Sequence, residues 1–368
     1  MTAVGIVAEF NPFHNGHRYL IEKAKEITGA DTVLAVMSGN FTQRGEPALF
    51  SKWKRAEAAV RSGVDLVLEL PQIFAVSSAD EFARGSIEIL EQSGMADFLA
   101  FGSESGDIAE LKRVSFFLNE NKEEIRELGF HYRKISYPSS QERAVLELDP
   151  DFPVSVLREP NNLLGVKYLQ NIRSMKPVTV LRSDHGYIES ASAERRKWIE
   201  AHPDRFERVQ ERFFLVLKGI LLRMKEEELL RIQGTQGGLG RKLFEEISGA
   251  DSLEDLMAAL KTKAYTRAHI SRMIISVLLG IQLDEAKRTH VYIRPLALNQ
   301  KGALLLRNAK KKDRMTAPFL GKLPRDLKRY PELQRVFEID RLAQKYYSLF
   351  FEEDAYINDD FVCSPVLV

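Results

Sequence analysis

The chain has 368 residues, 44% hydrophobic and 29% charged, with 53 Lys/Arg against 52 Asp/Glu. That length leaves room for two domains with a sizeable core, and the balance excludes disordered, collagenous and membrane-embedded classes. No apolar run is long enough to span a bilayer, the N-terminus lacks the basic-then-apolar pattern of a leader, and a lone cysteine, Cys363, excludes an internal disulfide, so a cytoplasmic protein is expected.

The first predicted strand is Ala3-Val4-Gly5-Ile6-Val7-Ala8, a short apolar run rich in β-branched residues. Phe10-Asn11-Pro12-Phe13-His14-Asn15-Gly16-His17 follows. Leu20, Ile21, Ala24 and Ile27 then recur at helical spacing, with Arg18, Glu22, Lys23 and Lys25 on the other face. Two histidines three apart therefore open the first turn of a helix and share a face. Ligands of open α/β sheets bind at the carboxyl ends of strands, and a free first turn suits a phosphate. Gly16 lets a ligand approach the backbone. The pair is also compatible with an ordinary solvated helix start. A zinc site is disfavoured because no Cys, third His or nearby carboxylate completes a ligand set, and no metal-ligating residues are assigned.

Further strand candidates begin near Thr32, Val64 and Ala96, at roughly the thirty-residue repeat of a βαβ unit. Thr32–Met37 runs into a long polar loop, Ser38 to Pro47, at the same sheet edge as His14. The helix after it spans about Lys52 to Arg61, capped by Ser51, and Ser78 or Asp80 starts another that reaches about Gln92. Asp97–Phe101 leads into Gly102-Ser103-Glu104. Pro160-Asn161-Asn162 reads as a helix start, and Pro177–Arg182 as the last strand of a parallel sheet with helices on both faces. After the polar loop Ser183–Tyr187, Ser190 or Ser192 can cap a helix containing Glu194 and Arg195.

Beyond His202-Pro203 the pattern turns helical, with an apolar stripe from Phe206 to Ile220 and a further helix after Thr266. Gly234–Lys242 fails the spacing of a phosphate loop and reads as an interhelical turn. Residues 261–329 hold seventeen Lys/Arg against four Asp/Glu, a net +13, which leaves about −12 for the remainder. Such a segment, with Tyr265 among Lys261, Lys263, Arg267 and Arg272, fits a polyanion such as RNA, whereas Lys310-Lys311-Lys312 alone reads as a solvated face. The last residues are acidic and then apolar, without assignment.

The order strand, His-x-Gly-His, helix resembles the nucleotidyltransferase superfamily of class I aminoacyl-tRNA synthetases, pantothenate synthetase and nucleotide-type adenylyltransferases. The runs Val4 to His17, Val36 to Pro47, Ser51-Lys52-Trp53, Glu69-Leu70-Pro71, Phe101 to Glu104, Pro160 to Gly165 and Leu260 to Thr266 are similar to the bacterial tRNA(Met) cytidine acetate ligase family. The resemblance covers most of the chain and is densest in residues 1–105. It implies a Rossmann-like (HUP-type) α/β domain over residues 1–200 and a mainly helical, basic tRNA-binding domain over 201–368. It also implies an ATP-dependent ligase that makes acetyl-adenylate and acetylates the wobble cytidine of elongator tRNA(Met), with magnesium on the phosphates. On that resemblance His14, His17, Ser103 and Arg195 would be catalytic. ATP would meet Val7, Ala8, Glu9, Phe10, Asn11, Pro12, Phe13, Asn15, Gly16, Gly102, Asn161, Asn162 and Arg182, and tRNA would meet Lys261, Lys263, Tyr265, Arg267 and Arg272. The family's second signature commonly reads Ser-Ala-Thr-x-Ile-Arg; here Ser192 replaces Thr and Glu194 replaces Ile. Three alternatives stay open: an adenylyltransferase of a small metabolite, a ligase of another carboxylate, and a non-catalytic RNA-binding protein.

Overall fold

The computed structural model describes residues 1–132, 135–182, 191–352 and 360–368, with the side chains of residues 191 and 192 left aside. The anticipated strands form as β1 (Ala3–Ala8), β2 (Thr32–Ser38), β3 (Leu66–Leu70), β4 (Phe98–Ser103) and β5 (Lys176–Leu181). All five run parallel, in a seven-stranded sheet that also takes in β6 (Pro295–Leu298) and β7 (Val366–Leu367), of order β5-β4-β1-β2-β3-β6-β7. The chain winds outward from β1 to β3 and then returns to place β4 on the other side of β1. The order therefore reverses between β1 and β4, and in open α/β sheets the ligand crevice lies outside the strands' carboxyl ends at such a point.

Alternation along the strands builds both layers. Val33, Ala35 and Met37 pack with α1 (Asn15–Thr28) and α2 (Lys52–Arg61), through Ile21, Ala24, Trp53 and Ala56. Leu34 and Val36 belong to the larger core on the opposite face, which takes in the single turn α3 (Gln72–Ala75), α4 (Ala79–Ser93) and the helix Pro160–Asn171. Ser51 and Ser78 cap α2 and α4 by accepting from Lys54 N and Glu81 N. The same core continues into helices Pro203–Arg223, Leu253–Leu260, Arg267–Leu279 and Gln334–Phe351.

Two strands come from this second, mainly helical half. β6 (Pro295–Leu298) lies antiparallel to β3, and β7 (Val366–Leu367) lies parallel to β6. The apolar tail that has no assignment in the sequence is thus the edge of the sheet. A buried ionic quartet fastens it. Lys52 Nζ lies 2.6 Å from Glu69 Oε1 and 2.7 Å from Asp360 Oδ1. Arg294 reaches Glu69 Oε2 at 2.7 Å and Asp360 Oδ1 at 3.0 Å, and none of the four residues is more than 3% exposed. Among the described residues no helix is long and apolar enough to cross a membrane.

Candidate nucleotide-binding site

The crevice between β1 and β4 is where the histidines stand. Phe10 takes a left-handed φ of 47° and is fully buried. Such a conformation costs about 1–3 kcal/mol and persists where packing holds it. Here the ring meets Phe13 at 5.3 Å and His17 at 4.9 Å between centroids. His14 is the N-cap of α1; its Nδ1 accepts from Gly16 N at 3.0 Å, while His17 Nδ1 accepts from His14 N at 3.2 Å. A neutral imidazole carries its proton on one nitrogen only, so with both Nδ1 atoms accepting, both Nε2 atoms are donors. The rings lie 3.9 Å apart, which sets two N–H groups side by side at the positive end of a helix.

Both rings are neutral at pH 7. Burial, helped by nearby Arg182, lowers His14 to about 4. Burial, then His14 and Arg182, hold His17 well below the ordinary 6.5. The unfolded chain regains the ordinary value, so on acidification it takes up protons that the folded chain refuses. Stability from this pair is complete above pH 6.5 and falls as the pH drops toward 4. Thermal melts between those limits are expected to show a downward trend that is shallower in the His14→Gln, His17→Gln double variant. An equal trend in both proteins would remove the histidines as its cause.

The far wall comes from β4 and the helix Pro160–Asn171. Glu104 accepts from Asn161 N at 3.3 Å, Asn162 N at 2.8 Å and Asn161 Nδ2 at 2.5 Å, neutralising that helix's first turn. In return Asn162 Oδ1 accepts from Glu104 N and Ser105 N at 2.9 and 3.1 Å. Arg182 donates to Asn161 Oδ1 at 3.2 Å, and a Cβ on Gly102 would sit 3.4 Å from its Cγ. His14, His17, Gly102, Asn161 and Arg182 therefore converge. Ser103 and Asn162 lie beneath them. The buried Ser103 hydroxyl is 2.7 Å from Thr179 Oγ1 and accepts from Gly106 N at 2.9 Å.

The Ser38–Pro47 loop closes the remaining side and is pinned along its length. Gln43 N donates to Glu9 Oε1 at 2.7 Å, and Gln72 bonds both N–H and C=O of Phe41 at 3.1 and 2.8 Å. Leu49 N, just beyond the loop, donates to Asn11 Oδ1 at 2.9 Å, and Asn40 Nδ2 to Gln344 Oε1 at 2.7 Å. The buried Arg55 guanidinium donates to Phe50 O at 2.9 Å, to Ser38 O at 3.1 Å, and to Glu9 O and Gly39 O. It thereby ties the ends of β1 and β2 together. Inside an amphipathic helix pattern an arginine reads as solvated, so only the fold reveals this one. Arg195 makes a bidentate pair with Glu46, at 2.5 and 2.6 Å. The neighbouring Ser183–Tyr187 loop and Ser190 lie outside the described residues, as does the Ser192 side chain.

Of the basic residues, Lys261 and Lys263 are exposed, and Arg267 is exposed but paired with Glu254 at 2.8 Å. The Tyr265 hydroxyl donates to Gly237 O at 2.9 Å, and its ring stacks on His269. Arg272 is only partly accessible and donates to Gln43 O at 3.2 Å. Gly45, at φ 79°, seats the loop on this helix, since a Cβ there would lie 2.4 Å from Arg272 N. Lys287 lines the same recess as Arg272, but other cations of the segment are elsewhere. Lys301 reaches Asp31 O, and Arg314 packs on Gly94, both at the strands' amino ends. The +13 segment is therefore divided between opposite edges of the sheet.

A family model described as HIGH Nucleotidyl Transferase matches residues 1–360. A tRNA(Met) cytidine acetate ligase of Acetivibrio thermocellus is 32% identical, with 97% of each chain covered. One of Caldanaerobacter subterraneus subsp. tengcongensis is 34% identical, with 98% of each covered. The crystal structure of Thermotoga maritima TmcAL bound with alpha-thio ATP superposes with a TM-score of 0.90 at 27% identity, covering all of both chains, and its apo form with 0.89. With the paired histidines at the β1/β4 switch point and a match over nearly its whole length, the chain belongs to the HIGH nucleotidyl transferase family.

Proposed function

We propose that this chain is an ATP-dependent, AMP-forming ligase. It activates acetate as acetyl-adenylate and passes the acetyl group to the wobble cytidine of elongator tRNA(Met), giving N4-acetylcytidine in the cytoplasm. The observation that carries the reading is the pair of neutral Nε2–H donors at the first turn of α1, in a chain that matches relatives of that name over nearly its full length.

In this reading acetate attacks the α-phosphate and pyrophosphate leaves. His14 and His17 donate to the charge that develops on the α-phosphate oxygens, a task for preorganised donors. Gly102, Asn161 and Arg182 hold the nucleotide, and Arg195 holds the departing phosphates. Magnesium would neutralise charge on the triphosphate. Among the described residues no three His, Cys, Asp or Glu side chains form a cage for a metal ion, and magnesium would be held chiefly by phosphate oxygens and water.

The lone pair of the cytosine amine is delocalised into the ring, so an activated acyl donor is required. An unpaired anticodon loop offers the base at little unstacking cost. Lys261, Lys263 and Tyr265 stand on the loop edge of the sheet, where that RNA would arrive. The test is incubation with labelled acetate, ATP and bulk tRNA, followed by digestion to nucleosides. Label is expected in N4-acetylcytidine from elongator tRNA(Met). Label confined to a small metabolite, or acetyl transfer from acetyl-coenzyme A without ATP, would overturn the reading.

A further inference from the structure

The transfer half of the reaction needs a base, because the amine must lose a proton as it becomes an amide. The histidines do not supply one: both Nδ1 atoms accept backbone N–H groups and both Nε2 atoms carry protons. Two of the carboxylates at this edge are also occupied. Both oxygens of Glu46 are on Arg195, and both oxygens of Glu104 accept from the start of the helix Pro160–Asn171.

Glu9 is different. It is the residue after β1, on the strand end that also delivers the histidine loop. Its Oε1 is fixed by Gln43 N at 2.7 Å, and its Oε2 accepts no hydrogen bond from the described residues, with Arg55 and Arg44 acting on the carboxylate through charge alone. The side chain is half-buried between the histidine loop and the Ser38–Pro47 loop. The latter loop is the one on which the helix Arg267–Leu279 sits, through Arg272 and Gly45. A base presented from that helix would enter along this seam.

We propose that Glu9 is the general base of acetyl transfer. Its free oxygen accepts a hydrogen bond from the exocyclic N4 amine of the cytidine and takes the proton as N4 attacks. The N4–C bond forms, the C–O bond to AMP breaks, AMP departs with the electron pair, and the proton ends on Glu9. The assignment rests on the proposed function above and adds a residue to it. An acceptor-only carboxylate is also the side chain that recognises a cytosine N4 donor.

The surroundings suit the role. Burial raises the Glu9 carboxyl above the usual carboxylate range, against the lowering effect of Gln43 N, Arg55 and Arg44; Glu46 adds to the rise. Tyr168, from the helix Pro160–Asn171, faces it as a neutral phenol held high by burial. A base drawn toward neutral pH is the more effective one.

Full-length Glu9→Gln separates this role from a merely structural one, because a glutamine oxygen still accepts from Gln43 N and keeps the loop anchored. Two half-reactions are measured: ATP–pyrophosphate exchange with acetate, and single-turnover transfer from preformed acetyl-adenylate to tRNA. Transfer should fall by about two to four orders of magnitude, the scale of general-base catalysis, and by more than any loss in exchange that follows from the place of Glu9 beside the nucleotide. The acid limb of the wild-type transfer profile should vanish, and Glu9→Asp should restore part of the rate. Equal loss in both half-reactions, or an acid limb unchanged in Glu9→Gln, overturns the assignment. Absence of acetate-dependent exchange in the wild type would instead overturn the proposed function, and this assignment with it.

Discussion

Replacing Arg294 with Met is expected to lower stability by about 3–5 kcal/mol, the cost of leaving a buried charge without its partner. In the native protein two cations, Lys52 and Arg294, face two anions, Glu69 and Asp360, with almost no access to water. Asp340 next to them is held above the usual carboxylate range, mainly by burial, and so adds little further negative charge. Methionine fills much of the volume but leaves Lys52 to balance two carboxylates. The Arg294→Met, Asp360→Asn double variant removes one charge of each sign and should recover part of the loss. Urea unfolding monitored by circular dichroism measures all three proteins. A loss below about 1 kcal/mol for Arg294→Met would place the quartet among ion pairs of surface strength, and the idea would fail.

That quartet also shows where the sequence stops being readable. The first four strands and the intervening helices recur at βαβ spacing, so β1 to β4 can be located from periodicity alone. The histidine pair follows from its position after β1. β6 has four residues and β7 two, too few to display an alternating pattern, and their partners lie far away in sequence. Lys52 and Arg55 fall in a helix whose charges look solvated. Both are buried, Lys52 against Glu69 and the C-terminal tail's Asp360, and Arg55 against the backbone at the ends of β1 and β2. Charge counting has the same weakness: it gives residues 261–329 one sign without knowing that the chain crosses from one end of the sheet to the other between Arg272 and Lys301. Arg272 itself, counted among cations facing RNA, instead directs its guanidinium at Gln43 O.

His17→Ala should reduce adenylate formation by one to three orders of magnitude, roughly the effect of removing one preorganised donor from a developing oxyanion. The structure explains why the loss belongs to chemistry more than to folding. His17 Nδ1 holds His14 N, so its removal frees one N–H at the helix start, a change of about 0.5–2 kcal/mol. Phe10 and Phe13 keep their contact with each other, 5.3 Å between centroids, although Phe10 loses the His17 ring 4.9 Å away, which adds a packing cost that the melt registers. Because the ring is neutral at pH 7, the donor it contributes is an N–H group and not a cation. His17→Gln, which can place an amide N–H near the same position, should therefore recover more activity than His17→Lys, which supplies charge at a different reach. ATP–pyrophosphate exchange with acetate, read beside a thermal melt of each variant, separates the two contributions. Exchange at the wild-type rate in a folded His17→Ala protein would sink the role, and stronger rescue by lysine than by glutamine would show that charge, and not a neutral donor, is what the phosphate requires.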